Sequence, residues 1–262
     1  MTETLVAASF TEKLEAAREA ATVLATVTTD LKNQALNAIA RAVVAGAGRI
    51  LPANELDLAN GRENGLSSGL LDRLTLNTAR LEGLAGAVRD ISALADPVGA
   101  VVRGSSLPNG VQLSQVRVPF GVIGAIYEAR PNVSVDIAAL ALKSGNAVVL
   151  RGGSAAENSN RVLVQVIQEA LDSVGLPTSA VQTIDEFGRE GAKQLMQARG
   201  YVDVLIPRGS AELITAVVTE SKVPVIETGA GVVHIYLDES ADTDMSVAIV
   251  SNAKVQIGRA HV

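Results

Sequence analysis

Ala147-Val148-Val149-Leu150-Arg151-Gly152-Gly153-Ser154 is an apolar run closed by an arginine, two glycines and a serine, and with the helix and strand next in the chain it sets the architecture. Ser154 and Glu157 have the spacing of a capping box. Val162, Leu163, Val166, Ile167, Ala170, Leu171 and Val174 then recur at helical spacing, and Gly175 and Pro177 stop the helix. Val181 to Ile184 is the next apolar run. Strand, helix and strand in that order form a crossover unit, and the pattern continues on both sides. Val122 to Tyr127 precedes it, while Val202 to Ile206, Val223 to Ile226 and Val233 to Leu237 come after. This alternation predicts an α/β fold with a parallel sheet and crossover helices.

Toward the start of the chain the texture becomes helical. Ser9 with Glu12 caps a first helix, and Asp30 is expected to cap a second whose buried face carries Leu31, Ala35, Ile39 and Val43. A further helix is expected from Thr78 to about Leu94, reached through a polar, partly helical segment from Asn54 to Asn77. Between these helices and the sheet, Val98 to Arg103 and Val111 to Val118 flank Leu107-Pro108-Asn109-Gly110. Asn and Gly tolerate positive φ, so this stretch reads as a hairpin.

Composition narrows the function classes. The 262 residues are 48% hydrophobic, enough for a substantial core. A net charge of -6, with scattered lysines and arginines, offers no basic stripe for nucleic acid. Glu3 stands where a signal peptide wants positive charge, and the longest apolar stretch is broken by Asp136 and Lys143, so no membrane segment is expected and the compartment reads as cytoplasmic. Cysteine is absent, which excludes thiolate chemistry and zinc-thiolate sites from the chain as it stands. Two histidines, His234 and His261, are too few for a histidine metal motif. Gly65-Leu66-Ser67-Ser68-Gly69 fits a nucleophile-elbow pattern, but Asn60 to Asn64 before it is polar and not strand-like.

Ligands of an open parallel sheet bind beyond the carboxyl ends of the strands, where helix N-termini present unpaired N–H groups to anions. Two junctions have that form: Val148 to Ser154, and Leu205-Ile206-Pro207-Arg208-Gly209-Ser210. In each an arginine stands beside glycine, fit to meet a phosphate at close backbone approach. The plain alternative is that the glycines and serines make tight turns and helix caps. No G-x-G-x-x-G comes after a strand, and Gly229 to His234 fails that pattern, so an ordinary Rossmann pyrophosphate site is not supported.

Val118-Pro119-Phe120-Gly121-Val122-Ile123-Gly124-Ala125-Ile126-Tyr127-Glu128-Ala129-Arg130-Pro131-Asn132-Val133, together with Lys143 to Gly153, strongly resembles the gamma-glutamyl phosphate reductases of the aldehyde dehydrogenase superfamily. Leu71-Asp72-Arg73-Leu74, Leu94 to Gly99, Ile206 to Gly209 and Pro224 to Gly229 continuing into His234 to Glu239 extend the likeness up to Gln256. The resemblance implies an aldehyde-dehydrogenase-like fold. Residues 1–97 and 119–226 would form a Rossmann-like NADP(H)-binding domain, 98–118 an oligomerisation arm, and 227–256 the start of a mostly absent catalytic domain. It also implies NADPH-dependent reduction of L-glutamate 5-phosphate to the 5-semialdehyde in proline biosynthesis. There a cysteine thiolate attacks the acyl phosphate and hydride reduces the thioester. A homo-oligomer associated with glutamate 5-kinase is implied as well.

By the same resemblance Asn132 is expected to stabilise the oxyanion, a helix N-cap being the other reading, and the two roles are compatible. Ile126, Tyr127, Glu128, Arg151, Ser154, Gly188, Gly191, Gly209, Ser210, Glu227, Thr228 and Gly229 are expected to line the cofactor cleft. Arg151 stands where the superfamily usually has lysine, and is expected to favour the extra phosphate of NADPH. Glu227 ranks as cofactor-lining or structural, because a reductase gains nothing from activating water against its own thioester. His234, on an apolar run, is expected in the core.

After Gln256 the likeness stops, and Ile257 to Val262 replaces the segment in which the family carries its cysteine. That hexapeptide is what one frame through the start of a common sequencing adapter would encode, so a non-native tail on a C-terminally shortened chain is expected. The nucleotides under those codons decide it. Without its cysteine the chain is expected to be inactive. Two other readings remain: an acyl-CoA-reducing relative, and a non-catalytic module that binds NADPH or pairs with complete subunits.

Overall fold

The computed structural model describes residues 9–128, 130–227 and 234–255. Five helices come first: α1 (Phe10–Leu24), α2 (Thr29–Ala45), α3 (Ala47–Glu63), α4 (Ser68–Leu74) and α5 (Thr78–Ala93). The reciprocal box at α1 forms, with Glu12 N donating to Ser9 Oγ at 3.3 Å and Ser9 N to Glu12 Oε2 at 2.7 Å. On α2 the cap is Thr28, which accepts from Leu31 N at 3.3 Å, while Asp30 lies inside the first turn. The expected face is kept: Ala35, Ile39 and Val43 are buried and Leu31 packs against the same core. The polar segment before Thr78 is partly helical, as the second half of α3 and as α4.

The strands β1 (Val101–Ser106) and β2 (Gln112–Val116) pair antiparallel as a hairpin whose residues are all exposed. Asn109 Oδ1 accepts from Val111 N at 3.2 Å, and Gly110 takes φ +85°, which completes the expected turn. Next in the chain are β3 (Val122–Tyr127), α6 (Pro131–Lys143), β4 (Ala147–Arg151), α7 (Glu157–Asp172), β5 (Val181–Thr183), α8 (Gly188–Gln197), β6 (Val204–Arg208), α9 (Ala211–Glu220) and α10 (Thr243–Val255). The sheet order is β5-β4-β3-β6, parallel throughout, with Ile123 opposite both Val148 and Val204. Buried Val and Leu on β3 and β4, with the inner faces of α1, α2, α5, α6 and α7, form one core. Fully buried strands of that kind read as continuous apolar runs.

Two expected strands differ. Val223 to Ile226 makes only a single parallel bridge, Val225 to Leu205, with Leu205 N donating to Pro224 O at 2.8 Å and Ile226 N to Leu205 O at 2.9 Å. Pro224 has no N–H to extend the ladder. Of Val233 to Leu237, Val233 lies outside the described residues, and residues 234–237 pair with no strand. His234 is exposed rather than in the core, and Tyr236 is 84% exposed, because no sheet edge among the described residues covers that run. Ser154 does not cap α7 either: a 3₁₀ turn, Ser154–Ala156, intervenes, and the helix opens at Glu157 with no side-chain cap from Ala156.

Two residues within the stretches that carry the resemblance tie α2, α5, α6 and the segment after α5 to one another. Buried Lys143 donates to Asn33 Oδ1 at 2.6 Å and Ser92 O at 2.8 Å. Asp96 receives Lys32 Nζ at 3.0 Å, Thr29 Oγ1 at 2.8 Å and Val98 N at 3.0 Å. Burial penalises the Asp96 anion, yet those hydrogen bonds and the Lys32 charge outweigh it and hold the carboxyl below its ordinary value. A carboxyl lowered by folding adds stability that is complete above its unfolded value of about 3.9 and disappears as pH falls through the folded value. Urea midpoints of the chain and of Asp96→Asn should therefore differ at pH 7 and converge in strong acid. A constant difference across that range would remove the ion pair as the cause.

Candidate functional site

The chain runs from β3 outward through β4 to β5, then returns to the far side of β3 as β6. The reversal falls between β3 and β6, and it is at the carboxyl ends of the strands flanking such a reversal that parallel sheets take ligands, in the crevice expected there. Glu128, the residue after β3, bridges it: its Oε1 accepts from Ser210 N at 3.1 Å and Ser210 Oγ at 2.7 Å. Ser210 in turn caps α9, accepting from Leu213 N at 3.3 Å. Gly209 makes room for this, since a Cβ there would stand 2.7 Å from Glu128 Cδ. Arg208 and Glu128 are both exposed at the mouth.

One strand over, β4 ends at Arg151. Behind it runs a buried polar chain. Gly152 N donates to Asp185 Oδ1 at 2.7 Å, Asn160 Nδ2 donates to Asp185 Oδ2 at 3.1 Å, and Ser134 Oγ donates to Asn160 Oδ1 at 2.9 Å. Tyr127 OH lies 2.6 Å from Ser134 Oγ. Gly152 cannot carry a side chain, because its Cβ would meet Asn160 Nδ2 at 2.1 Å. Burial pushes the Asp185 carboxyl up, opposed by its hydrogen bonds and by the Arg151 charge. Burial and the Asp185 charge push the Tyr127 phenol up as well. The Arg151 guanidinium thus stands close enough to act on both groups, while its own Nε is buried without a hydrogen-bond partner among the described residues. A buried donor left unpaired costs about 1–3 kcal/mol, so this one is suited to an incoming acceptor.

The other expected residues have varied placements. Ile126 and Tyr127 bury their side chains in the core, leaving only backbone toward the crevice. Ser154 is exposed beyond Gly153 on the same side of β4. Gly188 opens α8 after β5, and Gly191 is needed for packing, since a Cβ would stand 2.7 Å from Phe187 Cβ. Glu227 is exposed, and Thr228 and Gly229 lie outside the described residues. Asn132 is the second residue of α6 and does not cap it. Its Nδ2 donates instead to Asp136 Oδ2 at 3.3 Å, one turn on. Burial pushes the Asp136 carboxyl up, against the Asn132 hydrogen bond and the Arg208 charge. Asp185 was not foreseen, although an acidic residue just past the end of a strand is a signal for this crevice. Among the described residues no group of three or more acidic or histidine side chains could hold a metal.

This geometry has known counterparts. The chain is 68% identical over 256 residues to a gamma-glutamyl phosphate reductase of Leifsonia xyli, covering 98% of this chain and 61% of that protein. It is 66% identical to the protein of that name from Clavibacter michiganensis, covering 97% and 59%. The chain therefore spans about 60% of the length of these curated relatives. A crystal structure of gamma-glutamyl phosphate reductase from Thermotoga maritima superposes with a TM-score of 0.87 at 42% identity, covering 95% of this chain and 60% of that one. An acetylating aldehyde dehydrogenase from Geobacillus thermoglucosidasius shares the fold at TM-score 0.70 and 21% identity. The description of the matching family model is aldehyde dehydrogenase family, its match runs over residues 3–257, and the chain belongs to that family.

Proposed function

We propose that the chain is the NADPH-binding part of an enzyme that reduces L-glutamate 5-phosphate to L-glutamate 5-semialdehyde with release of phosphate, the reductive step toward proline. The observation that carries this is the reversal of strand order at β3, with the buried Nε of Arg151 at the end of neighbouring β4 unpaired among the described residues. The names and identities of the relatives support the substrate. When bound, NADPH supplies a hydride to the substrate's acyl carbon. Arg151 receives the phosphate on the adenosine ribose, bidentate geometry suiting a guanidinium better than an ammonium. Ser154, the backbone around Gly209 and Ser210, and Glu128 shape the rest of the cradle. Asn132 directs a neutral amide donor at the acyl oxygen as charge grows there. The exposed apolar hairpin, with Val101, Val102, Leu113 and Val116 uncovered, serves as the arm that joins subunits.

The sequence holds no cysteine, so no thiolate of this chain attacks the acyl phosphate. On this reading the purified chain binds NADPH and does not turn over. A chimera tests the rest: residues 9–255 replace the matching segment of a full-length gamma-glutamyl phosphate reductase. It should reduce L-glutamate 5-phosphate with NADPH and rescue a proline auxotroph. A chimera that folds and binds NADPH but reduces only acyl-CoA thioesters would reassign the substrate.

A further inference from the structure

A cleft of about 590 Å³ lies between the α4–α5 connection, α5 and the first turn of α6, lined by Asp72, Arg73, Arg80, Arg130, Asn132 and Asp136 among others. Its lining mixes the two signs of charge. Arg80 is already committed: it bonds Asp72 Oδ1 at 2.7 Å and Thr75 O at 2.7 Å, besides a contact to Asp72 O, and so ties α4 to α5. Arg73 differs, since no described residue gives its half-buried guanidinium a hydrogen bond or an ion pair. Asp136 is half-buried, and among the described residues it takes one side-chain hydrogen bond, from Asn132 Nδ2 at 3.3 Å, besides the more distant charge of Arg208. An arginine and a carboxylate in one cleft, each with unused capacity, match a ligand that carries both charges.

We infer that this cleft seats the zwitterionic head of an amino-acid substrate, with Arg73 meeting its α-carboxylate and Asp136 its α-ammonium group. The inference rests on the proposed function for the substrate's identity, and it adds where that substrate's non-reacting end is held. Asn132 is the link between the two ends. It lines the cleft and bonds Asp136, and it is the residue to which the proposed function gives the acyl oxygen. Binding energy from the amino-acid head then positions the acyl group, the general use of remote contacts in catalysis.

The test uses the whole chain and a stable probe, the methylene-phosphonate analogue of L-glutamate 5-phosphate, with its α-carboxamide counterpart. NADPH affinity is measured in parallel by fluorescence. The acid should bind about tenfold or more tighter than the amide. Arg73→Ala should lose that difference, Arg73→Lys should keep part of it, and NADPH affinity should not change in either. Asp136→Asn should weaken the amino probe but not its desamino form. Equal binding of acid and amide, undiminished discrimination in Arg73→Ala, or no probe binding by a chain that still binds NADPH would overturn the cleft assignment. A chain that fails to bind NADPH yet discriminates through Arg73 would remove the proposed cofactor and leave the cleft standing.

Discussion

Asp57→Ala should lower the free energy of unfolding by about 3–5 kcal/mol, a large share of the roughly 5–15 kcal/mol that holds a domain together. Asp57 lies on α3 and is 2% exposed, yet it makes no ion pair among the described residues. Its Oδ1 accepts from Asn158 N at 3.1 Å and Asn158 Nδ2 at 2.9 Å. Its Oδ2 accepts from Ser159 N at 2.8 Å and Ser159 Oγ at 2.6 Å. The amides belong to the first turn of α7, whose donors have no partner inside the helix and which has no side-chain cap of its own. A carboxylate there also faces the positive end of the helix dipole. Asp57 is thus an N-cap delivered from another helix. Neighbouring Asn54 joins the same cluster, donating to Ser159 Oγ at 3.0 Å and accepting from Leu76 N at 2.7 Å. Alanine would strand the N–H of buried Ser159 and leave a small void. Asp57→Asn keeps the shape and loses the charge, and should cost about half as much. Urea titration with parallel circular dichroism gives both values; a loss under about 1 kcal/mol for alanine would mean that water replaces the cap.

Arg151→Ala should weaken NADPH binding by about 10- to 100-fold while leaving NADH within a few-fold, the range expected when a charge-assisted pair to phosphate is removed. Arg151 stands at the end of β4, where Gly152 N is held by Asp185. Its buried Nε has no acceptor among the described residues, so a phosphate oxygen would add a bond without breaking one of theirs. Arg151→Lys should recover part of the affinity, because a point charge cannot pair two oxygens side by side. Titrating both cofactors against the chain and its two variants separates the effects. A variant that keeps the wild-type ratio of NADPH to NADH affinity would take Arg151 out of cofactor choice. Equal losses for both cofactors would point to collapse of the Gly152–Asp185 junction instead, which a thermal melt of the variant detects.

The two residues differ in how legible they are before folding. Arg151 sits in a strand-to-helix junction whose purpose is local: apolar run, arginine, two glycines. Asp57 sits in a polar helical stretch with no motif, and its importance depends on α7 arriving there from 100 residues away. Caps divide the same way. Ser9 and Glu12 close their box as spaced, because both partners lie within one turn. Ser154 has the right spacing to Glu157 but loses the role, because the chain leaves β4 through a 3₁₀ turn and the helix takes its cap from Asp57. Asn132 likewise bonds Asp136 rather than its own helix end.

The alternation of strands and helices, the hairpin and the helical opening are all written in the amino-acid order, since each comes from side-chain periodicity and turn chemistry over a few residues. Arg151, Gly209 and Ser210 could be placed at strand ends from the same order, because a parallel sheet puts its ligand junctions there whatever the topology. The strand order β5-β4-β3-β6, and hence the crevice between Glu128 and Ser210, belongs to the assembled fold. So does the burial of Asp185 behind Arg151, and the meeting of Arg73 with Asn132 and Asp136 in one cleft. Those arrangements join residues tens of positions apart, and the energy that selects them comes from desolvation and packing between elements, which no local pattern records.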